Sequence, residues 1–174
     1  MVKGELCHRA ARVRLVVTDC DGVLTDAGVY YSERGEELKR FNVRDGMGVE
    51  LLRRAGVRTA ILSREGSPCI GARAKKLGLE HTWLGVRDKL AHLDVVRQAT
   101  GLALSELAYM GDDVNDLGII EAVGREGLTA APADAVDAIA HAVHVRVEAR
   151  GGYGAFRQFA DFIIEHATLE RGAP

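Results

Sequence analysis

Short apolar runs alternate with segments of helical spacing along nearly the whole chain, and this alternation limits the possible folds more than any other feature. Val13-Arg14-Leu15-Val16-Val17-Thr18, Thr59–Ser63, Trp83-Leu84, Leu107–Met110 and Leu128–Ala131 read as strands. Between them fall helical stretches: Val49, Leu51, Leu52 and Ala55 with Gly56 as a stop, Ser67–Leu77 with Pro68 in the first turn, Lys89–Ala99 and Val114–Val123. Ala133–Ala140 and Ala142–Val147 continue the pattern, and Phe156–Ala167 closes it as an amphipathic helix. Strands separated by helices need crossover connections, so the expected fold is α/β, a Rossmann-like three-layer sandwich with a parallel central sheet. One exception interrupts it. Gly28–Ser32 and Glu37–Asn42 flank the turn-like Glu33-Arg34-Gly35-Glu36 and predict a β-hairpin flap. Residues 1–12 are mixed and basic without periodicity and read as a loose arm, 13–167 as a single domain and 168–174 as a tail.

Composition narrows the class. A chain of 174 residues with 47% hydrophobic content suits one compact core. A net charge of −2 provides no basic field for nucleic acid or anionic lipid. Cys7, Cys20 and Cys69 form no CxxC pair and read as reduced thiols of a cytoplasmic protein. No apolar run approaches the ~18–20 residues of a membrane span.

In parallel sheets ligands bind beyond the carboxyl ends of the strands, and the chemically able residues fall there. Asp19 and Asp21 follow the first strand, two residues apart, so their side chains face one side. Like charges held this close repel unless a cation sits between them or one stays protonated. Gly111-Asp112-Asp113-Val114-Asn115-Asp116 forms a second acidic cluster at a strand-to-helix junction. Together the clusters suit a shared Mg²⁺, which takes one or two carboxylates, keeps waters and accepts phosphate oxygens. Ser63 ends the second strand with a hydroxyl donor, and Lys89, opening a helix after Asp88, offers a mobile ammonium.

This ordered set, DxD, Ser, Lys and GDDxxD, resembles the haloacid dehalogenase superfamily of phosphohydrolases over residues 13 to about 165. The resemblance implies that Asp19 is a nucleophile that becomes an aspartyl-phosphate, and that Asp21 is the general acid and then the base. It implies that Ser63 and Lys89 hold the phosphoryl group. Asp19, the Asp21 backbone carbonyl and Asp112 would ligate Mg²⁺, with support from Asp113 or Asp116.

Most members of that superfamily carry a cap domain. Here Asp21 and Ser63 are 42 residues apart and Ser63 and Lys89 only 26, which leaves no room for one. Catalysis gains from excluding water, so a neighbouring subunit is expected to cover the site. Gly151-Gly152-Tyr153-Gly154-Ala155-Phe156-Arg157 and Phe41-Asn42-Val43-Arg44-Asp45-Gly46 resemble segments of a capless tetrameric group acting on phosphorylated 2-keto-3-deoxy sugar acids. That likeness implies a homotetramer built on the hairpin, with the Gly-rich segment closing a neighbour's site. Thr25, Asp45, Glu65, Arg73, Lys76, Arg150, Gly151 and Gly152 become candidate substrate contacts.

The eight-carbon enzymes of the group (3-deoxy-D-manno-octulosonate 8-phosphate) typically read Thr-Gly-Arg where this chain reads Ser63-Arg64-Glu65. Glu65, with Arg73 and Lys76 on one face of a helix, is closer to the nine-carbon (nonulosonate 9-phosphate) enzymes. Two rivals stay open: a phosphatase of broad specificity, and a catalytically silent binding module associated with a sugar-nucleotide synthetase. A phospho-receiver or a phosphomutase fits less well, given Asp21 and the missing cap.

Overall fold

The computed structural model of the chain describes residues 3–170. Six strands form one parallel sheet: β1 (Leu15–Thr18), β4 (Arg58–Leu62), β5 (His81–Trp83), β6 (Leu107–Met110), β7 (Leu128–Ala131) and β8 (Val145–Arg146). Their order is β5-β4-β1-β6-β7-β8, which places β1 near the centre, flanked by β4 and β6. β2 (Thr25–Ser32) and β3 (Gly35–Phe41) make a separate antiparallel hairpin. The α/β sandwich expected from the alternation is the fold observed.

Alternate residues of each strand supply the two layers of core. Val16, Ile61, Ala108, Met110 and Ala130 face α1 (Lys3–Arg12), α2 (Val43–Arg54), α3 (Pro68–Leu77) and α7 (Ala155–Glu170). Leu15, Val17, Ala60, Leu62, Leu107 and Tyr109 face α4 (Leu93–Thr100), α5 (Leu117–Gly124) and α6 (Asp137–Ala142). A strand buried on both sides must be apolar throughout, which is why these runs stand out in the sequence. Among the described residues no insertion large enough for a cap exists, and only the hairpin intervenes between β1 and α2.

The structure corrects several expectations. Residues 3–12 are not a loose arm but a helix packed on α7. Leu6 and Ala10 join the core, while the Arg9 guanidinium donates to the carbonyls of Gly124 and Gly127 at 3.0 and 2.6 Å and so satisfies the end of α5. Leu6, Cys7, Ala10 and Ala11 lie at helical spacing, but ten residues are too few to hold a helix alone, so packing on α7 makes it. The helix expected from Lys89 begins only at Leu93, because Lys89 is drawn inward by carboxylates and Asp88 caps a turn through the Ala91 amide. The Val114–Val123 helix divides into a 3-10 turn, Val114–Asp116, and α5. α2 starts at Val43 behind an Asn42 cap, so Asp45 is helical. Residues 168–170 belong to α7, and the rest of the expected tail, 171–174, lies outside the described residues.

Candidate active site

β1 delivers Asp19 to the middle of the sheet's carboxyl edge, and the Asp19 amide extends the ladder by donating to the Met110 carbonyl at 2.9 Å. The Asp19 carboxylate accepts from the Cys20 amide at 2.7 Å on Oδ1 and pairs with Lys89 Nζ at 2.9 Å through Oδ2. Lys89 also donates to Asp116 Oδ1 at 2.6 Å, an oxygen that takes a second hydrogen bond from Tyr109 Oη at 2.7 Å. The Asp112 amide donates to Asp116 Oδ2 at 3.1 Å. Lys89 and Asp116 side chains are both fully buried. The lysine is therefore a fixed charge rather than a mobile one. Gly22, at φ +83°, turns the chain against Asp112, and a Cβ there would collide with that carboxylate.

Three carboxylates share one ammonium, and the electrostatics record the imbalance. Burial and then the Asp116 charge push Asp19 up to about 7, against the pull of Lys89. Burial, followed by Asp19, Asp116 and Asp113, pushes Asp112 up to about 8. Burial would lower Lys89, but Asp19 and Asp116 outweigh it and raise its affinity for the proton. Asp19, Asp112 and Asp116 each offer an oxygen within 4.8 Å of the others, and Asp112 Oδ1 is buried with no hydrogen-bond partner among the described residues. Hard oxygen donors, surplus negative charge and an orphaned oxygen fit a divalent cation such as Mg²⁺. Asp116 is saturated by Lys89, Tyr109 and the Asp112 amide, so it supports the cluster, whereas exposed Asp113 caps the Val114 amide.

Asp21 stands beside this cluster. Its Oδ1 accepts from Thr25 Oγ1 at 3.2 Å and from Lys39 Nζ at 2.9 Å, while Oδ2 is buried without a partner. Sequence reasoning missed Lys39, which sits on the hairpin with its side chain only 1% exposed. Thr25 is buried and turned to Asp21, not to the open cavity.

A cavity of about 190 Å³ opens above Asp19, lined also by Asp21, Ala27, Ser63, Arg64, Glu65, Asp112, Asp113 and Asn115. It has room for a phosphoryl group but is smaller than the roughly 300–1,000 Å³ that encloses a whole small ligand. Ser63 Oγ accepts from the Glu65 amide at 3.1 Å, which leaves its hydroxyl hydrogen free to donate. The other expected substrate contacts lie elsewhere in the chain. Asp45 is buried and accepts from the amides of Gly154 and Arg157 at 3.3 and 3.0 Å. Arg73 donates to the Asn42 carbonyl at 3.1 Å, and Lys76 is exposed on α3. Arg150 and the Gly151 amide both bind Asp134, at 3.1 and 2.9 Å. Gly151 packs so tightly on the Gly22 carbonyl that only hydrogen fits, and the Gly152 amide donates to the Val23 carbonyl. The Gly-rich segment thus braces its own chain's Asp21–Thr25 loop from behind.

A buried carboxylate beside a buried lysine, an acidic loop and a serine at the edge of a capless parallel sheet define a haloacid dehalogenase-type phosphohydrolase. No protein-family model matches the chain. The curated 3-deoxy-D-manno-octulosonate 8-phosphate phosphatase KdsC of Haemophilus influenzae is 39% identical over 159 residues, 91% of this chain and 86% of that one. The corresponding phosphatase structure from Moraxella catarrhalis, in complex with magnesium, phosphate and KDO, superposes with a TM-score of 0.88 at 30% identity, covering 95% of this chain and 93% of that one. The cobalt-bound Haemophilus influenzae structure gives 0.87 at 35% identity, covering 91% of each chain. This chain belongs to the same phosphatase family and is a phosphoric monoester hydrolase.

Proposed function

We propose that the chain is a Mg²⁺-dependent phosphatase that hydrolyses a phosphorylated 2-keto-3-deoxy sugar acid through an aspartyl-phosphate on Asp19. The observation that carries this reading is the Asp19 carboxylate fixed between Lys89 and Asp112 on the floor of a cavity sized for a phosphoryl group. Asp19 attacks phosphorus while Lys89 and the Ser63 hydroxyl hold the equatorial oxygens, where charge is spread in the transition state. Asp21 gives its proton to the departing sugar oxygen, then takes one from the water that attacks the aspartyl-phosphate. Asp19, Asp112 and the Asp21 carbonyl would hold Mg²⁺, which supplies neutralising charge at the phosphate.

The named relatives support an eight-carbon sugar acid. Glu65 in the cavity wall, at a position where the resemblance implies Arg in the eight-carbon enzymes, favours the nine-carbon one, and we adopt that substrate. Because the cavity cannot enclose a sugar acid, and Arg73 and Lys76 lie outside it, these two cations serve a neighbouring protomer. Exposed Val29, Tyr30, Tyr31 and Leu38 make the hairpin the contact for a homotetramer, and the unpaired cysteines suit a reducing cytoplasm.

Initial rates on 3-deoxy-D-manno-octulosonate 8-phosphate, a nonulosonate 9-phosphate and p-nitrophenyl phosphate, with Mg²⁺ and with EDTA, test the reading. We expect Mg²⁺-dependent release fastest from the nine-carbon ester. Equal rates on all three would favour the broad-specificity alternative, and EDTA-resistant turnover would overturn the metal assignment. A monomeric mass in solution would overturn subunit completion.

A further inference from the structure

Lys39 is a buried cation on a hairpin, a placement that elementary energetics disfavours. Burying an ammonium costs several kcal/mol unless carboxylates and hydrogen bonds compensate. Two carboxylates do: Asp21 Oδ1 at 2.9 Å and Glu36 Oε2 at 3.4 Å. Glu36 in turn accepts a hydrogen bond from the Ser67 hydroxyl, and Ser67 caps α3 just beyond the Ser63 loop. One continuous chain of contacts therefore joins the loop after β1, the hairpin and the loop after β4.

The hairpin reaches this arrangement through an irregularity. Residues three apart on a strand point to opposite faces, and Glu36 and Lys39 are three apart. Yet Tyr31 pairs with Glu36 and Tyr30 with Leu38, so β3 carries one extra residue against a single step of β2. This bulge restores both side chains to the inner face and leaves Glu37 and Leu38 exposed.

We infer that Lys39 is a positioning residue that pins Asp21 by one oxygen so that the other meets the reacting oxygen. Lys39 and Thr25 both donate to Oδ1, and none of the described residues bonds Oδ2. With Oδ1 anchored, Oδ2 is the atom that carries the transferable proton. As the bond from Asp19 to phosphorus forms and the bond from phosphorus to the sugar oxygen breaks, the proton on Oδ2 passes to that oxygen. In the second half Oδ2 takes a proton from water as the new oxygen–phosphorus bond displaces Asp19. The inference rests on the phosphatase reading above.

The test compares kcat/KM of the full-length Mg²⁺ enzyme on two esters, since kcat/KM reports the step that expels the alcohol. The sugar oxygen of the preferred sugar-acid phosphate needs a proton to leave, whereas p-nitrophenolate does not. Lys39→Met is expected to lower kcat/KM about 100-fold on the sugar ester, as loss of an aligned general acid does. On p-nitrophenyl phosphate it should lower kcat/KM less than about fivefold, because a stable leaving group needs little general-acid help. Glu36→Gln, which leaves the Lys39–Asp21 contact in place, is expected to show the same selectivity with a smaller loss, and it serves if Lys39→Met does not fold. Equal losses on both esters, or no loss on the sugar ester, would overturn the positioning role while the phosphatase reading stands. A wild-type enzyme inert toward both esters would overturn that reading itself, and the inference with it.

Discussion

The floor and the rim of the cavity are built differently. On the floor, Asp19, Lys89, Asp116 and Tyr109 are buried, and each is held by a charged or hydrogen-bonded partner from another segment. At the rim, Arg64 and Glu65 line the same cavity as exposed side chains on a short loop. Floor residues are fixed before substrate arrives, as electrostatic stabilisation of a transition state requires. Rim residues are free to be ordered by substrate or by another protomer. On the proposed reading, chemistry and specificity fall to separate parts of one small cavity.

Substitutions on the two parts should differ in size and in kind. Asp19→Asn is expected to have the largest effect, a loss of more than about 1,000-fold in kcat, as for other covalent nucleophiles. It should not lower the Tm of the Mg²⁺-free protein, because burial already disfavours the ionised carboxylate. A substantially active Asn variant would remove the nucleophile from the floor.

Lys89→Met should follow, with kcat down about 100–1,000-fold, comparable to deleting one preorganised donor at a developing charge. Unlike Asp19→Asn it should also destabilise the fold, by about 3–5 kcal/mol in a urea titration, because Asp19 and Asp116 lose the buried cation that pairs with both. Unchanged stability would mean that the floor is not held by this ion pair.

Proton linkage gives a third test. The folded protein raises Asp19 to about 7 and Asp112 to about 8, both from a model value of 3.8. A carboxyl raised on folding binds its proton more tightly in the native state, so its stability contribution is greatest at low pH and is lost as pH rises through the folded value. The Mg²⁺-free Tm should therefore fall between pH 4 and pH 8. The increase in Tm on adding Mg²⁺ should be larger at pH 8 than at pH 5, since the cation requires ionised ligands. A Mg²⁺ effect that is flat with pH would break the link between these carboxylates and the metal.

The smallest effect belongs to the rim. Arg64→Gly is expected to change KM a few-fold with kcat nearly constant, on the scale of the ~0.2–1 kcal/mol of an exposed ion pair. A large fall in kcat would erase the distinction between floor and rim.

What the sequence made legible follows the same division. β6 and β7 carry the bounds their apolar runs predict, and the main floor residues fall at the strand ends that parallel-sheet logic indicates. Two burial errors share a cause. Lys89 reads as a mobile ammonium and Asp45 as a ligand contact because one-dimensional patterns treat charge as exposed, while each is buried against partners distant in sequence. The partners of Lys89 are 70 and 27 residues away, a relation no local window contains. Lys39 was illegible for a further reason. Its inward direction depends on a bulge, and strand alternation read from the sequence assumes none.

That bulge makes the pairing register of the hairpin arm, rather than its composition, the quantity that sets where its side chains point. Removing Glu37 alone would return β3 to strict alternation with Glu36 and Lys39 two apart and still on one face, whereas pairing the unchanged chain without the bulge would turn one of them outward. Extending the exposed Glu33-Arg34 tip would leave the spacing between Glu36 and Lys39 untouched. Insertions should therefore be tolerated at the tip, whereas between Glu36 and Lys39 a change of length is tolerated only where the pairing keeps both side chains on one face. The hairpin serves the site through its register and not through the count of its residues.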